Sequence, residues 1–456
     1  MIRRLVVFGG TGDLTARYLL PGLAALSHTG QLPAAFDLVA ASREDWDTAA
    51  FRDWARAQLD RHAAELPPSA RQTVVAASTY RKADVTEPAS VAAAIGGDQP
   101  VAAYLALPPA VFAPAVRALD EAGLPPGSTI VLEKPFGESL ATAEELNSLL
   151  ATVVPEESVF RVDHFLAMTT VQNILGTRMA NRMLEPVWNS THIAEVDIVW
   201  EESLALEGRA GYYDGVGALK DMLQNHLLQI MCLVAMEPPI SLGHNDLRDR
   251  KVDVLRSVGP LAGDDIVNRT SRARYGAGRL GGRQVPAYRD EDGVRPGRET
   301  ETFAEIALEV DNWRWSGTTF RLRSGKAFGR DRKEVVVRFR DVPHLPFDHD
   351  GALPANELRF GLEPESVTLA LTGIGADAQT LAPLRLSAGL PPPELPAYGR
   401  LLRDVLNREP ALSIRGDEAE ESWRIVTPIL AAWNDNSVPL DEYPAGLDPA
   451  ARSERG

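Results

Sequence analysis

Arg4-Leu5-Val6-Val7-Phe8-Gly9-Gly10-Thr11-Gly12-Asp13-Leu14 is the stretch from which the fold is read. The apolar run Arg4–Phe8 has the length of a strand and ends in glycines, and Tyr18–Ser27 then shows helical spacing. Strand, tight turn and helix in that order open a βαβ unit. The glycines let the backbone approach a diphosphate closely, and the helix start supplies N–H groups and a partial positive charge. The G-x-G-x-x-G pattern is incomplete, because Thr15 stands where its third glycine would be.

Further strands are expected at Phe36–Ala41, Ala102–Leu107 and Thr129–Leu132, with an amphipathic helix at Trp46–Arg61. Strands separated by helical patterns indicate a parallel sheet. The end of the second strand bears on a cofactor. An NAD site carries an acidic residue there for the ribose 2′-hydroxyl. Here Ser42-Arg43 takes that place, and Arg43 suits a bidentate contact with a 2′-phosphate. NADP is favoured; Glu44 and Asp45, which follow at once, keep NAD open. From about Ser158 the texture changes. Ala194–Glu201, Phe303–Val310, Thr318–Leu322, Glu334–Phe339 and Glu357–Leu362 are β-rich runs without regular helices between them, as in a large, mostly antiparallel sheet. Leu219–Met236 is a long helical stretch, Ser257–Pro286 is rich in Gly and Arg and reads as loop, and the end after Pro444 reads as a frayed polar tail. The expected fold is an α/β Rossmann-like N-terminal domain and a larger α+β domain.

Composition narrows the function classes. A length of 456 residues suggests two or three domains. A net charge of −16 argues against nucleic acid, whose backbone would be repelled. No run of apolar residues is long enough for a membrane span. Met1-Ile-Arg-Arg leads into an apolar segment too short for a signal peptide, so a cytoplasmic location is expected. The single cysteine, Cys232, sits in the apolar run Leu227–Met236, where it reads as a core thiol. It has no partner for a disulfide or a cysteine metal site, and no metal is expected.

The middle of the chain carries a resemblance. Its motifs are Glu133-Lys134-Pro135-Phe136-Gly137; Arg161-Val162-Asp163-His164-Phe165-Leu166; Asn181-Arg182; Pro186-Val187-Trp188-Asn189; Gly208-Arg209-Ala210-Gly211-Tyr212-Tyr213-Asp214; Asp221-Met222-Leu223-Gln224-Asn225-His226; Thr300-Glu301-Thr302-Phe303; Asp311-Asn312-Trp313-Arg314-Trp315; and Arg323-Ser324-Gly325-Lys326. In that order they closely resemble the glucose-6-phosphate dehydrogenase family, over Leu5 to about Trp433. The resemblance implies a dinucleotide-binding domain at 1–160, a substrate-binding and dimerisation domain at 161–440, and a tail at 441–456. It implies oxidation of a hexopyranose at C1 to the lactone with NADP, and a homodimer or homotetramer. Removing the C1 hydroxyl proton while hydride leaves C1 needs a base near neutral pKa, which suits histidine. His226 matches the family's base, and Asp163 matches the carboxylate that orients it. Lys134 matches a lysine that touches cofactor and sugar, beside Pro135. Glu202, Asp221 and Lys326 match residues that hold the sugar, and His164 its phosphate. Asp84 and Pro108 match cofactor contacts, which join Gly9, Gly12, Asp13, Leu14, Ser42 and Arg43 of the turn and second strand read above.

The chain departs from the family at the phosphate pocket. The family reads Arg-Ile-Asp-His-Tyr-Leu-Gly-Lys-Glu there, whereas Phe165 replaces the tyrosine and Met168 the lysine. Tyr18 and Asp331 also stand where the family has basic residues, with Arg330 and Arg332 flanking the latter. Three alternatives stay open. The same chemistry acts on an unphosphorylated, amino or deoxy hexose, or on a sugar with its phosphate elsewhere; the chain is a non-catalytic nucleotide sensor or partner subunit; or it oxidises a non-sugar alcohol.

Overall fold

The computed structural model describes residues 1–208, 210–295, 297–347, 353–375 and 380–453. Arg209, in one of the motifs quoted above, lies outside the described residues. The backbone divides into two compact units, one made of Met1–Met168, Pro239–Asp249 and Pro392–Glu420, the other of Thr169–Pro238, Arg250–Pro391 and Glu421–Gly456.

The first unit is built on six parallel strands: β1 (Arg4–Phe8), β2 (Asp37–Ser42), β3 (Ser78–Lys82), β4 (Val101–Leu105), β5 (Thr129–Glu133) and β6 (Val159–Val162). They lie in the order β3-β2-β1-β4-β5-β6. β1 and β4 are almost wholly buried and read as unbroken apolar runs, as strands covered on both faces do. The connecting helices have local start signals. Asp47 accepts the Ala50 N–H at 2.8 Å ahead of the helix Thr48–His62, and Ser139 and Thr142 form a capping box on Leu140–Val153. The helix Ala397–Asn407 belongs to this unit and buries Leu402 and Val405 in the same core as Leu5, Val7 and Leu23. The boundary expected after residue 160 falls inside β6.

The second unit contains β7 (Ile193–Glu201), β8 (Thr270–Gly276), the small hairpin β9 (Gly278–Leu280) and β10 (Arg283–Val285), β11 (Phe303–Glu309), β12 (Thr319–Gly325), β13 (Arg332–Phe339), β14 (Glu357–Leu362), β15 (Glu365–Ile374), β16 (Leu381–Gly389) and β17 (Leu440–Pro444). All but the hairpin form one nine-stranded sheet, β16-β15-β14-β13-β7-β12-β11-β8-β17, antiparallel except at β7–β12 and β8–β17. Val196, Ile198, Val335, Val337, Phe320 and Leu322 are fully buried. The π-helical segment Leu219–Leu227 packs on β12, β11 and β7. Arginine–carboxylate pairs lie between the strands: Arg338 to Glu195 and Asp197, Arg323 to Glu201 and Glu305, Arg359 to Glu334.

Two expectations are corrected here. The Gly/Arg-rich stretch Ser257–Pro286 is not loop, since it holds the helix Asp264–Arg269, β8 and the hairpin. The described residues after Pro444 are not a frayed tail: β17 pairs with β8 up to Pro444, Gly446 N–H bonds the Ala327 carbonyl at 2.8 Å, and Pro449–Ser453 is helical. Among the described residues no helix is long and apolar enough to cross a membrane.

Candidate active site

In the first unit every candidate residue sits at or just beyond the carboxyl end of a parallel strand. Gly9 and Gly12 follow β1, Ser42 ends β2 with Arg43 after it, Asp84 follows β3, Pro108 follows β4, Lys134 and Pro135 follow β5, and Asp163 and His164 follow β6. That is where open parallel sheets bind ligands, at the point where the strand order reverses. Here the order reverses at β1, flanked by β2 and β4.

The turn after β1 needs its glycines. Gly9 has a φ of +85°, and a Cβ on it would collide with the Ala106 carbonyl oxygen. A Cβ on Gly10 would lie 2.7 Å from that of Ala40. Gly12 is exposed and donates its N–H to the Gly9 carbonyl at 3.0 Å. Thr15, in the third glycine's place, buries its hydroxyl on the same carbonyl at 3.2 Å. Thr11 ties the turn to β2, its N–H and hydroxyl reaching Ser42 Oγ at 3.2 and 3.1 Å. Asp13 and Leu14 begin the following helical segment. Arg43 is exposed, and its neighbour Asp45 is held by Lys82 at 2.9 Å. Asp84 is drawn into a local turn: the Thr86 N–H at 2.9 Å and hydroxyl at 2.7 Å, with Arg43 nearby, hold its carboxyl below the ordinary value.

Lys134 and Pro135 are joined by a cis peptide. Beside them, burial pushes the Glu133 carboxyl up to about 7, against the hydroxyls of Tyr104 and Tyr398, which donate to it. Asp163 is buried and accepts the Phe165 N–H at 2.9 Å. The His164 ring stacks on Tyr398 and meets the edge of Phe165. Arg161, the cation nearest His164 in sequence, is fully buried and bonded to Glu156 at 2.7 Å and Asn147 at 2.7 Å.

In the second unit, β7 and β12 are parallel neighbours that pair Glu201 with Gly325. The next residue on each, Glu202 and Lys326, therefore emerge side by side, and their ion pair measures 2.8 Å. Lys326 Nζ also lies 5.4 Å from the centre of the Tyr213 ring. Asp221 and His226 share the π-helical segment, a wider turn that occurs often at functional positions. The Tyr212 hydroxyl donates to Asp221 at 3.3 Å, and His226 is buried. Asp331 is spent locally. Ser203 donates to it through N–H and hydroxyl, both at 2.6 Å, and Lys333 pairs with it at 3.2 Å. Burial raises its carboxyl, but these partners outweigh that and hold it low. Arg330 pairs with Asp448 at 3.3 Å, and Arg332 with Glu334 at 3.4 Å.

The structure thus brings Glu202 to Lys326 and gathers the cofactor candidates on one edge of the first sheet. Sequence reasoning missed Tyr398, and it did not single out Glu133, Tyr212 and Tyr213, though all three lie in quoted motifs.

Comparison with known proteins gives concordant matches. Residues 6–173 match the family described as glucose-6-phosphate dehydrogenase, NAD binding domain. Residues 175–455 match its C-terminal domain. The chain is 38% identical to glucose-6-phosphate 1-dehydrogenase of Zymomonas mobilis over 98% of this chain and 95% of that one. It is 39% identical to the enzyme of that name from Mycolicibacterium smegmatis over 97% and 93%. The crystal structure of glucose-6-phosphate 1-dehydrogenase from Mycobacterium avium superposes with a TM-score of 0.87 at 32% identity, covering 99% of this chain and 96% of that one. With these matches across both units, the chain belongs to the glucose-6-phosphate dehydrogenase family.

Proposed function

We propose that this chain oxidises glucose 6-phosphate at C1 to the lactone and passes the hydride to NADP. The near-full-length likeness to glucose-6-phosphate 1-dehydrogenases carries this reading. His226 takes the C1 hydroxyl proton, for which an imidazole near neutral pKa is suited. Asp163 supplies the carboxylate that favours the protonated ring. Glu202, Asp221 and Lys326 hold sugar hydroxyls, Lys134 with Pro135 lines the junction of sugar and cofactor, and His164 faces the sugar's phosphate. Gly9, Gly12, Asp13 and Leu14 carry the diphosphate at the helix start, and Asp84 and Pro108 contact the cofactor. Ser42 and Arg43 take the 2′-phosphate, a role supported by the pairing of Asp45 with Lys82 instead. When bound, the nicotinamide accepts the hydride. The assembly is a homodimer or homotetramer in the cytoplasm, joined through the large sheet. Leu384 and Leu386 on the outermost strand, 47% and 55% exposed, support that face.

One observation favours a second reading. Tyr18, Phe165 and Met168 stand where the family has a cation or a hydroxyl, and Arg161 is already bonded to Glu156 and Asn147. A phosphate dianion draws on several charge-assisted bonds of about 1.5–3 kcal/mol each. On this reading the chemistry is kept and the substrate is an unphosphorylated, amino or deoxy hexose. Reduced-nicotinamide absorbance with NADP or NAD, against glucose 6-phosphate, glucose and aminosugar phosphates, separates the two. Turnover of glucose 6-phosphate at micromolar concentrations supports the first; turnover of glucose alone overturns it.

A further inference from the structure

Glu133 ends β5 next to Lys134, and two tyrosines from distant parts of the first unit converge on it. Tyr104 of β4 donates to Oε1 at 2.5 Å. Tyr398, 265 residues along the chain from Glu133, donates to the same oxygen at 3.3 Å. The Tyr398 ring is stacked on the His164 imidazole, with centroids 5.8 Å apart and planes 18° from parallel. Tyr18 packs on the same tyrosine at 5.0 Å and 30°. Tyr398 therefore meets a proposed substrate contact, His164, with its ring, and the neighbour of another, Glu133 beside Lys134, with its hydroxyl.

We propose that Tyr398 is a positioning residue: its ring fixes the orientation of the His164 imidazole, and its hydroxyl anchors the Glu133 carboxylate beside Lys134. Aromatic faces in offset contact restrict a neighbouring ring without consuming its polar atoms. The carboxylate of Glu133, once ionised, attracts the Lys134 ammonium. The groups that face it are Tyr104, Tyr398, Lys134 and Asp163. Burial pushes it up to about 7 and the tyrosine hydroxyls pull it down, so loss of one hydroxyl moves its ionisation to higher pH. The inference rests on the assignment of His164 and Lys134 to substrate binding.

The test compares Y398F, which keeps the ring, with Y398L, which loses ring and hydroxyl together; Y398M takes its place should Y398L not fold. For glucose 6-phosphate, Y398L is expected to raise KM about 5- to 10-fold with kcat changed less than about twofold, as for a lost aromatic pair. Y398F is expected to restore KM. In Y398F the limb of the kcat–pH profile that is absent in E133Q moves to higher pH. Histidine-labelled protein gives a readout that needs no turnover: the His164 imidazole resonances, assigned by H164Q, shift in Y398L and stay in Y398F. Equal KM values in Y398L and the parent, or equal effects of Leu and Phe, overturn the ring's role, and an unmoved limb in Y398F overturns that of the hydroxyl. If the parent protein does not turn over glucose 6-phosphate, the functional reading fails, whereas the His164 resonances still decide whether Tyr398 holds that ring.

Discussion

Arg43 stands exposed beyond β2, and the acid two residues on is held by Lys82. Removing the guanidinium with R43A takes away charge-assisted bonds of about 1.5–3 kcal/mol to a 2′-phosphate, which is roughly 10- to 100-fold in affinity. The KM for NADP should rise by that factor and the KM for NAD should change little; equal losses on both would remove the 2′-phosphate role. H226N should lower kcat by about 10²–10⁴ and leave the Kd for NADP, read by fluorescence quenching, where it was. Turnover close to that of the parent would instead end the assignment of the base. Asp163, His164 and Lys326 could be picked out as candidates because each lies in a short contiguous motif, and the neighbour of Glu202 became visible only in the pairing of β7 with β12. Tyr398 could not be picked out. Its partners lie far away in sequence, and a tyrosine at the start of an amphipathic helix looks like any core residue. Asp331 stood out only as an acid in the place of a family base; its pairing with Ser203 and Lys333 is announced by no spacing.

Among the elements, the π-helical segment Leu219–Leu227 depends on a residue outside it. The Glu301 carboxylate accepts the Leu219 N–H at 2.9 Å, and Gly217, with φ +72°, leaves no room for a side chain against that carboxylate. Glu301 stands in the wall of a cavity of about 590 Å³ with Lys220 and Arg272, and burial raises its carboxyl to about 7. The sign follows from the direction. A carboxyl raised in the folded state favours folding below its ordinary pKa of 4.5, and that contribution is lost as pH rises through 7. E301Q keeps an acceptor for Leu219 and removes the charge. It should be more stable than the parent at pH 8, by on the order of 3 kcal/mol, with little difference at pH 5. A calorimetric difference that does not grow with pH would contradict this. Element by element, β1, β2, β4 and β5 were visible as buried apolar runs. β8 was not, because its buried Arg272 is satisfied by the Val438 carbonyl, Asn436 and the face of Trp433, all distant in sequence. β3 reads Ser-Thr-Tyr-Arg-Lys and ends exposed at a sheet edge, so its composition resembles a loop. The residues of β15 are only partly buried along nearly the whole strand, which blurs its alternation.

For the molecule as a whole, the open edge of the large sheet bears on assembly. Leu384 and Leu386 of β16 lie opposite Leu371 and Leu369 of β15, forming an apolar patch that water touches. Burying such a side chain contributes about 1.5–3 kcal/mol. The double variant L384K/L386K should therefore move the protein toward the monomer mass in sedimentation at micromolar concentration; an unchanged mass would clear this face of the role. The two-domain character was legible from the switch of texture near Ser158, but the way each unit is assembled from separate stretches was not, because composition carries no record of returns. Those returns have a consequence during synthesis. The Ile2 N–H bonds the Leu406 carbonyl at 2.6 Å, and Gly22 packs against Gly399 and Leu402. A ribosome that has released the first 168 residues has delivered the whole parallel sheet but not the helix Ala397–Asn407 that seals its core. The nascent first unit must then wait, its apolar face uncovered, while the strands of the second unit emerge. The first unit can therefore close only after residue 407 has been made, so the two units are expected to complete their folding together rather than one after the other.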